Sequence, residues 1–353
     1  MPSFRSRSRI KRKRQSLRFN SVSTTATTID RAAPPEAGPR TFIRRLRDGD
    51  EVAHVITLVF AGVILLITSL LVYELWVNSH LSRAKFGLLF FWTSVWDPIF
   101  NNFGAAPFIY GTLVTSAISL IIAVPLGLAA AIYLAELAPR KLSDGIAFLI
   151  DLLAAVPSVI YGLLGIFVVV PLVRTVLGPA LKSTVGHVPI VGKLFTGPNY
   201  GVGFLTAGIV LAIMVVPFII SVSREVLLTV PRDQREAALA MGATRWEATW
   251  QVVVPWARTG VMGSIFLALA RALGETMAVT MVIGNDPKIS ASLFAPGYSI
   301  AAVIANEFSE ATGDLYLSAL IELGLVLFLM TFILNGLARL LIVATERGGG
   351  HPS

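Results

Sequence analysis

Six long apolar stretches constrain what this chain can fold into. Each could cross a hydrocarbon core of about 30 Å as a helix that rises about 1.5 Å per residue. Inside hydrocarbon only helices and closed barrels satisfy the backbone, and these stretches lack the alternation of barrel strands. The sequence therefore predicts an all-α, polytopic membrane protein with six transmembrane helices. The stretches are centred on residues 55–73, 109–134, 146–173, 204–221, 259–283 and 316–338. Helices should kink or end locally at Pro125, Pro157, Pro171 and Pro217.

Composition supports a membrane protein and argues against a nucleic-acid-binding one. Only 14% of the residues are charged and 55% are hydrophobic, whereas about a quarter of a soluble domain is charged. The net charge of +8 is confined to residues 1–50, which hold thirteen of the 29 Lys and Arg residues. We therefore expect residues 1–50 to form a basic, disordered tail, either solvated or in contact with anionic lipid headgroups.

The distribution of basic residues predicts the orientation, because Lys and Arg are retained on the cytoplasmic side. With the N-terminus inside, the inner segments hold 22 basic residues and the outer loops hold six. Both termini should therefore be cytoplasmic. The domains predicted are the tail, a transmembrane domain over residues 51–345 and a short cytoplasmic tail over residues 346–353.

The longest inner loop, residues 224–258, contains the signals of two successive helices. Pro231 suits the first turn of a helix, and Gly242 suits the left-handed position just past its end. A second helix starts at once, because Thr244 and Glu247 fit a capping box, and Pro255 should end or bend it. The first helix either docks in the groove of a partner protein or folds back on the bundle.

The same loop resembles a known family. Glu236-Ala237-Ala238, three residues, Gly242, nine residues and then Val252-Val253-Val254-Pro255 is similar to the EAA loop of ABC importer permeases. The resemblance implies a type I importer permease bundle. It also implies that Glu236, Ala237, Ala238 and Gly242 belong to a coupling helix that sits in a cleft of an ATPase subunit.

A second run, from Arg271 to Asn285, resembles the phosphate importer permeases of the PstC type. Residues 154–162 and 205–218 support the resemblance, which covers about residues 50–345. It implies a bacterial inner-membrane permease for inorganic phosphate. The partners implied are a PstA-like second permease, a PstB-like ATPase dimer, a PstS-like extracytoplasmic phosphate-binding protein and membrane lipids.

Arg271 is a charge in the predicted fifth span, about 18 Å along the helix from its inner end. Such a charge costs about 2.5 to 3.5 kcal/mol on insertion scales. Glu275 is four residues further on, so one interpretation is an intrahelical ion pair. The other is that Arg271 faces a polar pathway and binds phosphate oxygens, with Glu275 holding it in position. Asp151 and Glu322 are expected at interfaces or in helix packing.

Features of an enzyme or a metalloprotein are missing from the sequence. The segment Gly186 to Lys193 departs from a P-loop in spacing, the four His residues have no metal-binding spacing, and Cys is absent. We therefore expect no catalytic residue, metal or cofactor, and energy supplied by a separate ATPase subunit. The alternatives are a permease for another substrate, the PstA-type paired subunit, and a membrane scaffold or channel that uses the basic tail.

Overall fold

The computed structural model describes residues 50–184, 186–189 and 191–348. In this part the regular structure is helical apart from two isolated bridges, and six helices are long and apolar enough to cross a membrane. The predicted all-α fold is confirmed. The six long helices are α1 (Asp50–Asn78), α3 (Ala106–Leu137), α5 (Ser158–Thr184), α6 (Phe204–Leu228), α8 (Arg245–Leu273) and α11 (Asp314–Gly348). The shorter helices between them are α2 (His80–Phe86), α4 (Arg140–Ala154), α7 (Arg232–Ala240), α9 (Met277–Ile283) and α10 (Ile300–Glu307).

The chain divides into two compact units within α1, after Leu65. The described part of the first unit is the helical segment 50–65, and its large apolar side chains from Val55 to Leu65 are exposed. The predicted N-terminal tail lies outside the described residues up to position 49. Residues 349–353 of the predicted C-terminal tail also lie outside them, whereas residues 346–348 belong to α11.

Helix α6 forms the centre of the second unit. In its most apolar window 67% of the residues are buried, and the helix packs chiefly against α3 and α8. Glycines allow the close approach to α3: a Cβ at Gly208 would lie 2.5 Å from Ile118, and one at Gly127 would lie 2.7 Å from Ile219. Within the second unit, α3, α4, α5, α8 and α9 thus pack against α6.

The third apolar stretch does not form the span that the sequence predicted. Helix α4 ends at Ala154, and a new helix, α5, starts after Pro157 and runs to Thr184. Pro157 cannot donate a backbone hydrogen bond and disfavours helical backbone at Val156, so the chain breaks here and restarts. The third span is therefore residues 158–184, and α4 is a separate helix before it.

The fifth apolar stretch also differs from the predicted single span. The helix that begins after Thr244 continues through Pro255, because a π-helical turn at Thr249–Val253 comes just before the proline and the ladder is rearranged there. This helix, α8, ends at Leu273, and α9 begins only at Met277. Residues 274–276 therefore separate two helices where the sequence predicted one.

Candidate functional site

Arg271 lies in the last turn of α8 and its side chain is exposed. Its Cζ atom is 5.5 Å from the ring centroid of Phe218 on α6, close enough for a cation–π contact. The partial negative charge at the C-terminus of a helix also stabilises a cation in the last turn. The aromatic ring and the helix end therefore offset part of the cost of this charge.

Glu275 lies in the break between the two helices, outside α8. Its Oε1 accepts a hydrogen bond of 3.2 Å from the backbone N–H of Ala278, in the first turn of α9. Within the described ranges no ion pair joins Glu275 to Arg271. The intrahelical ion pair that the spacing suggested is therefore wrong, because Glu275 is not on the helix that carries Arg271. Each charge instead faces the helix end of opposite polarity.

The surface beside the break is open in this chain. Arg271, Gly274 and Met277 are exposed, and Glu275 is half-buried. On the far side of the break, α9 is fixed to its surroundings, since Gly203 N–H donates to the Val282 carbonyl and Gly297 N–H donates to the Ile283 carbonyl, both at 3.0 Å. The site therefore combines an accessible guanidinium on α8 with a firmly held helix, α9.

The second predicted site is α7 and the turn that follows it. Gly242 has a φ of +92° just past the end of α7, as the sequence predicted. Pro231 is the N-cap residue, one position before the first turn in which the sequence placed it. The capping box at the start of α8 is confirmed: Glu247 N–H donates to Thr244 Oγ1 at 3.3 Å, and Thr244 N–H donates to Glu247 Oε2 at 2.8 Å. Helix α7 is thus joined to α8 by a short, well-defined turn.

Apolar side chains of helix α7 are exposed on the surface of the protein. It contains no fully buried residue, and just past its end the Met241 side chain is 88% exposed. Glu236, Ala237 and Gly242 are exposed and Ala238 is half-buried, so the predicted coupling residues share one accessible region. About 39 Å of helix separates Arg245 from Arg271, since α8 rises about 1.5 Å per residue. The two candidate sites are therefore at opposite ends of α8.

Replacement of Gly242 tests the conformation of this turn. A Cβ at this position would meet nothing within 4 Å, so only the positive φ opposes a side chain. We expect Gly242→Ala to destabilise the turn by about 1 to 2 kcal/mol and Gly242→Asn to destabilise it less. The measurement is the midpoint of thermal unfolding of the purified protein in detergent. Equal midpoints for wild type and Gly242→Ala would contradict the left-handed conformation.

Several acidic residues have structural partners. Asp151 on α4 accepts a hydrogen bond of 2.7 Å from Ser221 Oγ on α6, whereas Glu322 is buried in α11 and its Oε2 atom has no hydrogen-bond partner among the described residues. Glu136 and Arg235 form an ion pair at a distance of 2.7 Å. The sequence did not predict this pair, because 99 positions separate the two residues. In the ranges that the structure describes, no three His, Cys, Asp or Glu side chains cluster in a way that could hold a metal ion.

Comparison with known proteins identifies the family. Residues 123–346 match the binding-protein-dependent transport system inner membrane component family, which is well over half of the chain. The chain belongs to this family. The permease is therefore a multi-pass inner-membrane protein and a transport subunit, as the sequence predicted.

The relatives are named as transport permeases rather than enzymes. The permease is 46% identical to the phosphate transport system permease protein PstC of Mesorhizobium japonicum, over 87% of this chain and 94% of the relative. It is 47% identical to PstC of Xylella fastidiosa, over 84% of this chain and 91% of the relative. The resemblance to the PstC type is confirmed.

A solved structure shares the fold. A bacterial alginate ABC transporter, in complex with a periplasmic protein that binds an alginate pentasaccharide, contains a chain similar to the permease with a TM-score of 0.53. The two chains are 14% identical, and the match covers 83% of this chain and 94% of the other. At this identity the likeness supports the ABC importer fold alone.

Proposed function

We propose that the permease is the PstC-type subunit of an ATP-driven importer of inorganic phosphate. The observation that carries the proposal is the exposed guanidinium of Arg271 at the break between α8 and α9. A guanidinium offers several N–H donors in a geometry that matches phosphate oxygens. The names of the relatives support the same substrate.

The phosphate path runs between this permease and a second, PstA-like permease. Arg271, Gly274 and Met277 face away from the core of their own chain, so another subunit is needed to enclose them. Glu275 is tied to α9 and screens the guanidinium without pairing with it. A transported anion must be released, and a single screened Arg allows a transient contact.

Helix α7 is the docking element for a PstB-like ATPase dimer. Its exposed apolar surface needs a partner, and Glu236, Ala237, Ala238 and Gly242 form the contact region. By the distribution of basic residues this end of the bundle and both termini face the cytoplasm. A PstS-like phosphate-binding protein delivers phosphate at the opposite face. ATP-driven closure moves α7 and, through it, α8.

A permease for a different substrate is the alternative within this class, and it would have the same docking helix. The run from Arg271 to Asn285 and the PstC names of the relatives favour phosphate. They also favour the PstC-type subunit over its paired PstA-type permease. The alternative outside the class of ABC permeases is a scaffold or channel that depends on residues 1–50.

Uptake of labelled phosphate into vesicles tests the proposal. The vesicles contain the permease with its paired permease, ATPase and binding protein. We expect uptake that requires ATP. Because the proposed substrate is phosphate, unlabelled phosphate should compete with the labelled phosphate and sulfate should not. Equal competition by sulfate would indicate a different substrate.

Deletion of residues 1–40, measured in the same vesicles, separates the transporter from the scaffold. The bundle contains both candidate sites, so the transporter proposal predicts retained uptake. Loss of uptake in an assembled complex would instead support a role for the tail.

A further inference from the structure

One side chain ties the docking helix α7 to the inner ends of two spans. The Arg235 Nη2 atom donates to Glu136 Oε1 at 2.7 Å, and Nε donates to the two oxygens of the same carboxylate at 3.2 and 3.1 Å. The two side chains are only 20% and 9% exposed. The pair is therefore bidentate and largely withdrawn from water, unlike an exposed surface pair.

The same guanidinium also closes the end of α6. Nη2 donates to the Leu227 carbonyl at 2.8 Å, and Nη1 donates to the Val230 carbonyl. The Leu227 carbonyl, in the last turn of α6, also accepts from the Val230 N–H at 3.3 Å. The guanidinium therefore adds a second hydrogen bond to that carbonyl and one to the Val230 carbonyl, two residues past the end of the helix. Arg235 thus contacts α3, through Glu136, and the end of α6 at once.

The position of Glu136 makes this contact specific. Glu136 lies in the π-helical turn Tyr133–Leu137 that ends α3. The neighbouring Arg224 pairs with Asp144 and Glu225 instead, both at 3.1 Å. Helix α7 also packs against the π-helical turn of α8. Two π-helical turns, one in α3 and one in α8, therefore contact the docking helix.

We propose that the Arg235–Glu136 pair transmits the movement of α7 to α3 and α6, so that these spans move with the docking helix together with α8. The proposal rests on the proposed function and adds a positioning residue to it. Helix α7 is connected to α8 by the short capped turn, whereas this ion pair connects it to α3. Without the pair, α7 can move with the ATPase while α3 stays behind.

The test measures phosphate uptake and ATP hydrolysis in the same vesicles containing the complete complex. We expect Arg235→Gln and Glu136→Gln each to lower the phosphate transported per ATP about tenfold, within the range of measured coupling energies. ATP hydrolysis continues, because the exposed contact region of α7 is unchanged. Arg235→Lys keeps the cation but not the fork of donors, so its ratio should be intermediate.

Arg140→Gln is the matched control. Arg140 is an exposed Arg at the start of α4 that lines the same cavity as Arg235 and Glu136. Its replacement removes the same charge from the same surface, and transport per ATP should remain at the wild-type value. A loss as large as that of Arg235→Gln would show that charge alone matters and would overturn the proposal.

The double variant Glu136→Gln with Arg235→Gln removes both charges and leaves neither unpaired in the buried site. If the two residues act as a unit, its ratio equals that of either single variant. A wild-type ratio would show that the single variants fail only because of an unpaired charge, and two additive losses would show independent roles. Either result overturns the proposal. Absence of phosphate uptake in the wild-type complex contradicts the proposed function instead.

Discussion

Replacement of Arg271 by Gln is expected to reduce phosphate uptake about a hundredfold or more, because two charge-assisted hydrogen bonds are worth about 3 kcal/mol. The side chain is exposed at the end of α8, so its loss leaves the core packing unchanged. The complex should therefore assemble normally. Uptake of labelled phosphate in vesicles and co-purification of the four subunits are the two measurements.

Arg174→Gln provides the control, since Arg174 is also an exposed Arg on a span, α5, away from the break. Its uptake should match the wild type. Arg271→Lys retains the charge without the planar fork and should fall between the wild type and Arg271→Gln. Normal uptake by Arg271→Gln in an assembled complex would rule out its role in the phosphate path.

Replacement of Ala237 by Asp should prevent the ATPase from binding. Ala237 is exposed on α7, so an Asp there costs the isolated permease no more than about 0.7 kcal/mol in helix propensity. In a docked interface the same carboxylate would be buried without a partner, which costs at least about 2 kcal/mol at an interface centre. We expect loss of ATPase co-purification and, with it, loss of uptake.

Ala84→Asp is the corresponding control, because Ala84 is an exposed Ala on α2, outside both the docking helix and the candidate spans. This variant should retain the ATPase. If Ala237→Asp also retains it at wild-type levels, then α7 is not the docking element.

Much of the fold could be predicted because the signals were local. Six apolar stretches gave six candidate spans, and the left-handed Gly242 and the capping box at Thr244 are where the sequence placed them. A local break at Pro157 was predicted, but the third span was still placed over one apolar stretch from residue 146, and the break after Leu273 was not predicted. Hydrophobicity does not change at Pro157 or at Gly274, so it reports continuous apolar segments where the backbone is interrupted.

At the candidate sites, the number of residues between two side chains did not predict whether they are in contact. An Arg and a Glu four positions apart suggest one helical face, but the inference fails when the helix ends between them. The contact of Arg235 with Glu136 depends on the tertiary arrangement of α3 and α7, which no local pattern reports. Charges of this kind can be found in the sequence, but their partners cannot.

The interruption at residues 274–276 also affects how the electric field at the site depends on conformation. In one continuous helix the separation of Arg271 and Glu275 would be the same in every state of the protein. Here the Arg belongs to the helix joined to the docking element, and the Glu is hydrogen-bonded to a helix held at the other end. Any displacement of α8 relative to α9 therefore changes the distance between the two charges and, with it, the potential that an anion meets beside Arg271.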